Sequence, residues 1–170
     1  MNPSLSTRRT APAILIALLM AALLAASLAS PASAGKRNRI VLYKSIAGVK
    51  LGASVDRLHS ILGRPNAVKY KRNEITGSLR FDYYGRLSYA SYDGTILGMK
   101  TTRRSIRTRS GIGVGTSKRR LNRRFPGLDC YGNNCSIVSG GGVATIGRRV
   151  TSFRIRNGKV RSVSIARVID

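Results

Sequence analysis

The chain has 170 residues with 31 Lys and Arg against six Asp and Glu, a formal net charge of +25, two Cys and a single His. So basic a chain suits anionic partners, whether nucleic acid, anionic lipid or phosphate-bearing wall polymers, although an arginine-heavy surface also follows from codon usage in a G+C-rich genome. Two Cys and one distant His exclude a zinc site built from those residues alone.

Residues 8 and 9 are Arg, residues 13–29 are apolar apart from Ser27, and Ala32, Ser33 and Ala34 supply the small residues at which a signal peptidase cuts. This order predicts a secretory signal over 1–34, cleaved near Ala34. An uncleaved anchor is the alternative, because the apolar run approaches spanning length. The remainder holds 136 residues, enough for one compact domain or two small ones, and keeps 29 basic and six acidic residues, a formal charge of +23. Export removes chromosomal nucleic acid from the expected partners.

A basic segment over 35–45 leads into the stretch GVKLGASVDRLHSILGRP, residues 48–65. Ser54 is placed to cap a helix and Asp56 suits its positive end. Val55, Leu58, Ile61 and Leu62 recur on one face, and Gly63 with Pro65 stops the helix. So short a helix does not persist alone in water and must rest on something apolar. Residues 66–78 are polar and basic, which predicts a loop. Residues 79–84, a turn at Gly85-Arg86, residues 87–92, a turn at Asp93-Gly94 and residues 95–102 then alternate as three paired strands. Phe81, Tyr83, Leu87 and Tyr89 read as core under the helix. Tyr84 and Tyr92 read as exposed protein contacts, since exposed Tyr beside Arg is the composition of recognition surfaces.

A weaker copy, GIGVGTSKRRLNRRFPGL, starts at Gly111, 63 residues on, and aligns Gly52 with Gly115, Ser54 with Ser117 and Leu58 with Leu121. Thr116 or Ser117 caps it, and Leu121 and Phe125 form its apolar face. Cys130 and Cys135 enclose four residues and predict a local disulfide around a turn, stabilising by roughly 2 kcal/mol at most. Asn157-Gly158 marks a closing hairpin. Val160 is out of phase with Val163 and Ile165, which predicts a bulge near Arg161 and Ser162. The fold expected is α+β: two tandem repeats, each a short helical element packed on an antiparallel β-meander. The divisions are a basic segment 35–45, a first unit over 46–103, a basic linker over 104–110 and a second unit over 111–170.

The pattern GVKLGASVDRLHSILGRPN followed by SYDGTI resembles the small envelope modules related to the outer-membrane barrel-assembly lipoprotein. Its double occurrence with a disulfide loop resembles the tandem-repeat β-lactamase inhibitor proteins. The resemblance covers roughly residues 46–103 and 110–168 and implies a helix on an antiparallel sheet, with the sheet or its loops binding another protein. The absence of a lipidation Cys departs from the lipoprotein pattern.

No catalytic constellation is legible. His59 is the sole candidate base and reads as a rim residue of the first helix, while the spacing of Glu74 and Asp82 does not pair them. The run GIGVG ending at Gly115 lacks the following Gly-Lys-Ser/Thr of a phosphate loop. Gly52 and Gly115 read instead as allowing a tight approach before each helix. No cofactor or metal is expected. The strongest binding candidate is cationic: Lys118, Arg119, Arg120, Arg123 and Arg124 on the second helix, with Arg103, Arg104, Arg107 and Arg109 before it. Arginine suits phosphate because its planar fork donates two parallel hydrogen bonds. The function expected is a secreted, non-enzymatic binding protein for anionic envelope polymers or lipids. The alternative is a module that binds, or inhibits, an exported enzyme.

Overall fold

A computed structural model describes residues 39–73 and 77–169, which belong to one unit, Ser33–Asp170. The expected signal segment lies outside them, as does Glu74. Three two-residue strands come first, β1 (Ile40–Val41), β2 (Ser45–Ile46) and β3 (Val49–Lys50), paired antiparallel in that order. Helix α1 (Val55–Leu62) follows, then β4 (Ala67–Asn73), β5 (Gly77–Tyr84), β6 (Leu87–Tyr92) and β7 (Thr95–Thr101). After a long connection come helix α2 (Lys118–Arg124), β8 (Asp129–Tyr131), β9 (Asn134–Val138), β10 (Arg149–Arg156) and β11 (Lys159–Arg167).

The α+β expectation of two helix-on-meander repeats is overturned. The described chain is mostly β, with helices of eight and seven residues, and the strands of both halves run together in one eight-stranded sheet ordered β4-β5-β6-β7-β11-β10-β9-β8. The seam is the antiparallel pairing of β7 with β11, Thr101 against Val163 and Met99 against Ile165. Each of these strands closes its own meander and would otherwise leave a row of unpaired backbone groups; joining them removes both edges.

A second correction concerns residues 66–78. Most of this stretch is strand β4, paired with β5 from Ala67 opposite Tyr83 to Asn73 opposite Gly77. Its exposed Lys69, Lys71 and Arg72 are the charges an edge strand carries against further pairing.

One face of the large sheet is buried. Tyr84, Leu87, Tyr89, Met99, Val163, Ile165, Phe153, Ile155 and Cys135 point from it into a cluster with Ile40, Ile46 and Val49 of the small sheet, Leu58 of α1 and Leu121 of α2. Two hydrogen bonds tie the small sheet across: the Tyr89 hydroxyl donates to Ile46 O at 3.1 Å, and Tyr43 N–H donates to Thr151 Oγ1 at 2.9 Å. Leu87 and Tyr89 are core as expected. Phe81 and Tyr83 are not: they lie half-exposed on the opposite face, while Asp82 and Tyr84 point inward. The two-residue turn Gly85-Arg86 pairs Tyr84 with Leu87 and Asp82 with Tyr89, and directly paired residues share a face. That register fixes the phase of β5.

Both caps form as read. Ser54 Oγ accepts from Arg57 N–H at 3.2 Å and Ser117 Oγ from Arg120 N–H at 3.3 Å. Each cap is also bound to a hairpin turn. Val55 N–H donates to Gly94 O and Lys118 N–H to Gly158 O, both at 2.8 Å. Asp93-Gly94 and Asn157-Gly158 both adopt positive φ, as the predicted hairpin turns require. Gly115 is needed for its φ of +90° rather than for closeness, since a Cβ there would meet nothing within 4 Å; the same is true of Gly52. The tight approach is at Gly113, where a Cβ would stand 2.8 Å from Ile106 O. The expected bulge is present, with Arg154 opposite Ser162 and Ile155 opposite Val160, so that Arg161 has no partner. The disulfide joins Cys130 to Cys135 across β8 and β9, as suits an exported chain.

Burial sets an alkaline limit on this core. It pushes the Tyr84 hydroxyl up to about 12 from an ordinary 10.0, with Asp82 adding to the rise and Arg80 opposing it, and it raises Tyr89 as well. The folded state thus favours the neutral phenols. Their contribution to stability is complete below pH 10, and that of Tyr84 is lost as pH rises through about 12. Urea midpoints measured between pH 9 and 12 should fall, and a Tyr84→Phe chain should lose less over that interval.

Candidate anion-binding surfaces

Helix α2 is held by very little. Leu121 is its one buried residue, and Phe125, which ends it, stacks on Phe153 with ring centroids 5.9 Å apart. Lys118, Arg119, Arg120, Arg123 and Arg124 are all exposed. Arg123 and Arg124 sit in the last turn, where the helix dipole favours cations, but no acid occupies the first turn to balance Lys118, Arg119 and Arg120. Like charges four apart oppose this helix by a few tenths of a kcal/mol per pair.

The nine predicted cations divide into two sets. Arg103 and Arg107 are half-buried and committed to backbone carbonyls. Arg103 Nη2 donates to Tyr84 O at 2.9 Å; Arg107 donates to Gly111 O at 2.9 Å and to Val114 O at 3.2 Å. These two brace the connection instead of facing solvent. Arg104 and Arg109 are exposed. Arg109 and Arg124 meet Arg39 and Lys44 around a cleft of about 670 Å³ whose apolar floor includes Ile40, Leu42 and Phe125. Arg120 reaches the same connection, its Nη2 lying 3.2 Å from where a Cβ on Gly111 would be. Of the nine, Arg109, Arg120 and Arg124 are thus the ones that linker and helix bring near each other.

The tyrosine pair does not come together. Tyr84 is 6% exposed, and its hydroxyl donates to Gly63 O beyond α1, so it is withdrawn from any contact surface. Tyr92 is 45% exposed, at the other end of the meander beside the Asp93-Gly94 turn. Exposed aromatics missed by pattern reading are Tyr70 on β4 and Tyr131, 92% exposed, at the tip of the disulfide hairpin.

Sequence reading also missed a second cationic cluster. Lys100, Arg154, Arg156 and Arg161 line a cavity of about 500 Å³ on the face of the large sheet opposite the core, with Thr102, Asn157 and Ser162. The alternation of Phe153 and Ile155 with Arg154 and Arg156 signals two of these. Lys100 is placed there only by the seam between β7 and β11.

His59 faces Asp82, with Nε2 3.8 Å from Oδ2, and Asp82 is fully buried beneath α1 with Arg80 donating twice to Oδ1 at 3.0 and 3.1 Å. That hydrogen bonding raises Arg80 above its already high ordinary value, so it stays charged at every working pH. Arg80–Asp82 is the one Arg or Lys ion pair to a carboxylate among the described residues. Among those residues, too, no group of three or more His, Cys, Asp and Glu is arranged to hold a metal, and no helix is long and apolar enough to cross a membrane.

No protein-family model and no curated protein matches the chain. Two solved structures are similar in part. An extracellular protein containing an SCP domain from Bacillus anthracis str. Ames has a TM-score of 0.48 and 7% identity over 69% of this chain, which spans 44% of that protein's length. A Streptococcus mutans protein described as a "putative beta-lactamase inhibitor protein" has a TM-score of 0.32 and 13% identity over 67% of this chain and 82% of its own. Neither assigns an activity here.

Proposed function

We propose that the protein is a secreted, non-enzymatic binding protein that associates electrostatically with anionic polymers or lipids of the cell envelope through α2 and the connection before it. The observation that carries this is the cleft where Arg39, Lys44, Arg109 and Arg124 converge with no acidic residue in its lining. Cations gathered from three segments repel one another, and an anionic partner relieves that repulsion. On an immobilised phosphate polymer the protein should elute only at high salt. Replacing Arg119, Arg120, Arg123 and Arg124 by Gln should bring elution to a clearly lower salt concentration. Unchanged retention would dismiss the helix as the binding element.

A second reading, a module that binds an exported protein, is favoured by one separate feature: Phe81 and Tyr83 lie half-exposed on a sheet face that no other described element covers. Capture through that face would survive moderate salt and fail on Tyr83→Ala or Tyr92→Ala, with the α2 arginines irrelevant.

A further inference from the structure

We propose that the sheet face opposite the core carries a discrete site for the phosphate groups of a soluble polyanion, built from Lys100, Arg154, Arg156 and Arg161 around Ser162. It stands apart from the α2 surface, because α2 packs by Leu121 and Phe125 against the opposite, buried face.

Strand pairing gathers the cluster. Lys100 on β7 lies beside Ser164 of β11, and Arg154 on β10 lies opposite Ser162, so β11 runs between an ammonium and a guanidinium two positions apart. Arg156 follows on the same side of β10, opposite Lys159. The bulge adds the fourth: the unpaired Arg161 is the extra residue of β11, and a bulge re-aims the side chain it carries. Arg161 Nε donates to Arg156 O at 3.3 Å, which uses one of its five donors to restrain the guanidinium at the hairpin. Ser162, though on the face opposite the core, is 6% exposed and lines the cavity with the cations around it.

The chemistry of the lining selects the ligand. All seven lining residues are polar and none is acidic, whereas sites for neutral small molecules are mostly apolar. Among the described residues none of these four cations pairs with a carboxylate. Three guanidinium forks and an ammonium suit a multiply charged oxyanion, and phosphate takes the bidentate geometry that arginine offers. The lining has no apolar side chain to enter a bilayer or grip a peptide, which favours a phosphate group on a soluble chain over a lipid surface.

Isothermal titration with inorganic pyrophosphate in ~0.15 M NaCl tests this. Saturable binding is expected, weakened at least about tenfold by Arg154→Gln and again by Lys100→Gln, since a charge-assisted hydrogen bond contributes about that factor. Arg154→Lys, which keeps the charge and loses the fork, should fall between Arg154→Gln and the natural chain. The Gln variant at 119, 120, 123 and 124 should bind pyrophosphate as the natural chain does, which separates this site from the helix surface. The proposal is overturned if Arg154→Gln and Lys100→Gln leave pyrophosphate binding intact, or if binding is lost with the α2 arginines instead. It is equally overturned if the pocket variants lose phosphatidylglycerol vesicles but keep pyrophosphate, since the face would then be a membrane contact.

Discussion

Phe153→Ala should cost about 4 kcal/mol of folding stability, within the range for truncating a fully buried Phe. Phe153 is completely buried on β10, between Cys135 of β9 and Val163 of β11, and Phe125 stacks on it. Its removal opens a cavity in the core and takes away the ring on which Phe125, at the end of α2, stacks. A seven-residue helix has no independent stability in water, so the cationic array should lose its geometry before the sheet unfolds. Urea unfolding should show the loss in the midpoint at unchanged slope, with Phe125→Ala costing less because Phe125 is only half-buried. A loss below about 1 kcal/mol for Phe153→Ala would mean that the buried face is not packed as described.

Removing Arg80 should be nearly as severe. Asp82 is fully buried, and Arg80 supplies both hydrogen bonds to Oδ1 while Oδ2 has no hydrogen-bond partner. Arg80→Ala leaves the buried Asp82 carboxylate with no hydrogen-bond donor, only His59 Nε2 at 3.8 Å, at a cost of about 3 kcal/mol. The double change Arg80→Ala with Asp82→Asn should recover much of it, because an amide is far cheaper to bury than an unpaired carboxylate. Equal destabilisation in the single and double variants would show that Arg80 acts through packing of its stem and not through its charge.

Local chemistry made part of this molecule legible in advance. Ser54 and Ser117 signal helix starts, Asp93-Gly94 and Asn157-Gly158 signal hairpins, and the phase slip between Val160 and Val163 signals a bulge; all of these depend on neighbours in sequence. What escaped depends on distant partners. AVKYKRN of β4 is as polar as a loop and is a strand because β5 pairs with it. The FDYY of β5 alternates equally well in either phase, and only the register across Gly85-Arg86 turns Asp82 and Tyr84 inward. Tyr84 therefore left the contact surface, and Arg103 and Arg107 proved to be braces because carbonyls of Tyr84, Gly111 and Val114 lie within their reach. The seam between β7 and β11 has no local signal at all. It joined the two expected meanders into one sheet, and it brought Lys100 to the arginines of β10 and β11.

The proposed role rests on exposed cations that, among the described residues, pair with no carboxylate. Its most direct test is the salt dependence of binding to a soluble glycerol-phosphate polymer, compared between the natural chain and a Gln variant at 39, 44, 109 and 124, the four cations of the cleft. Each lost phosphate contact should lower the slope of log K against log salt by roughly 0.7–0.9. The account predicts a slope shallower by about 3, with affinity at ~0.15 M salt down more than tenfold. Two coincident lines would contradict it.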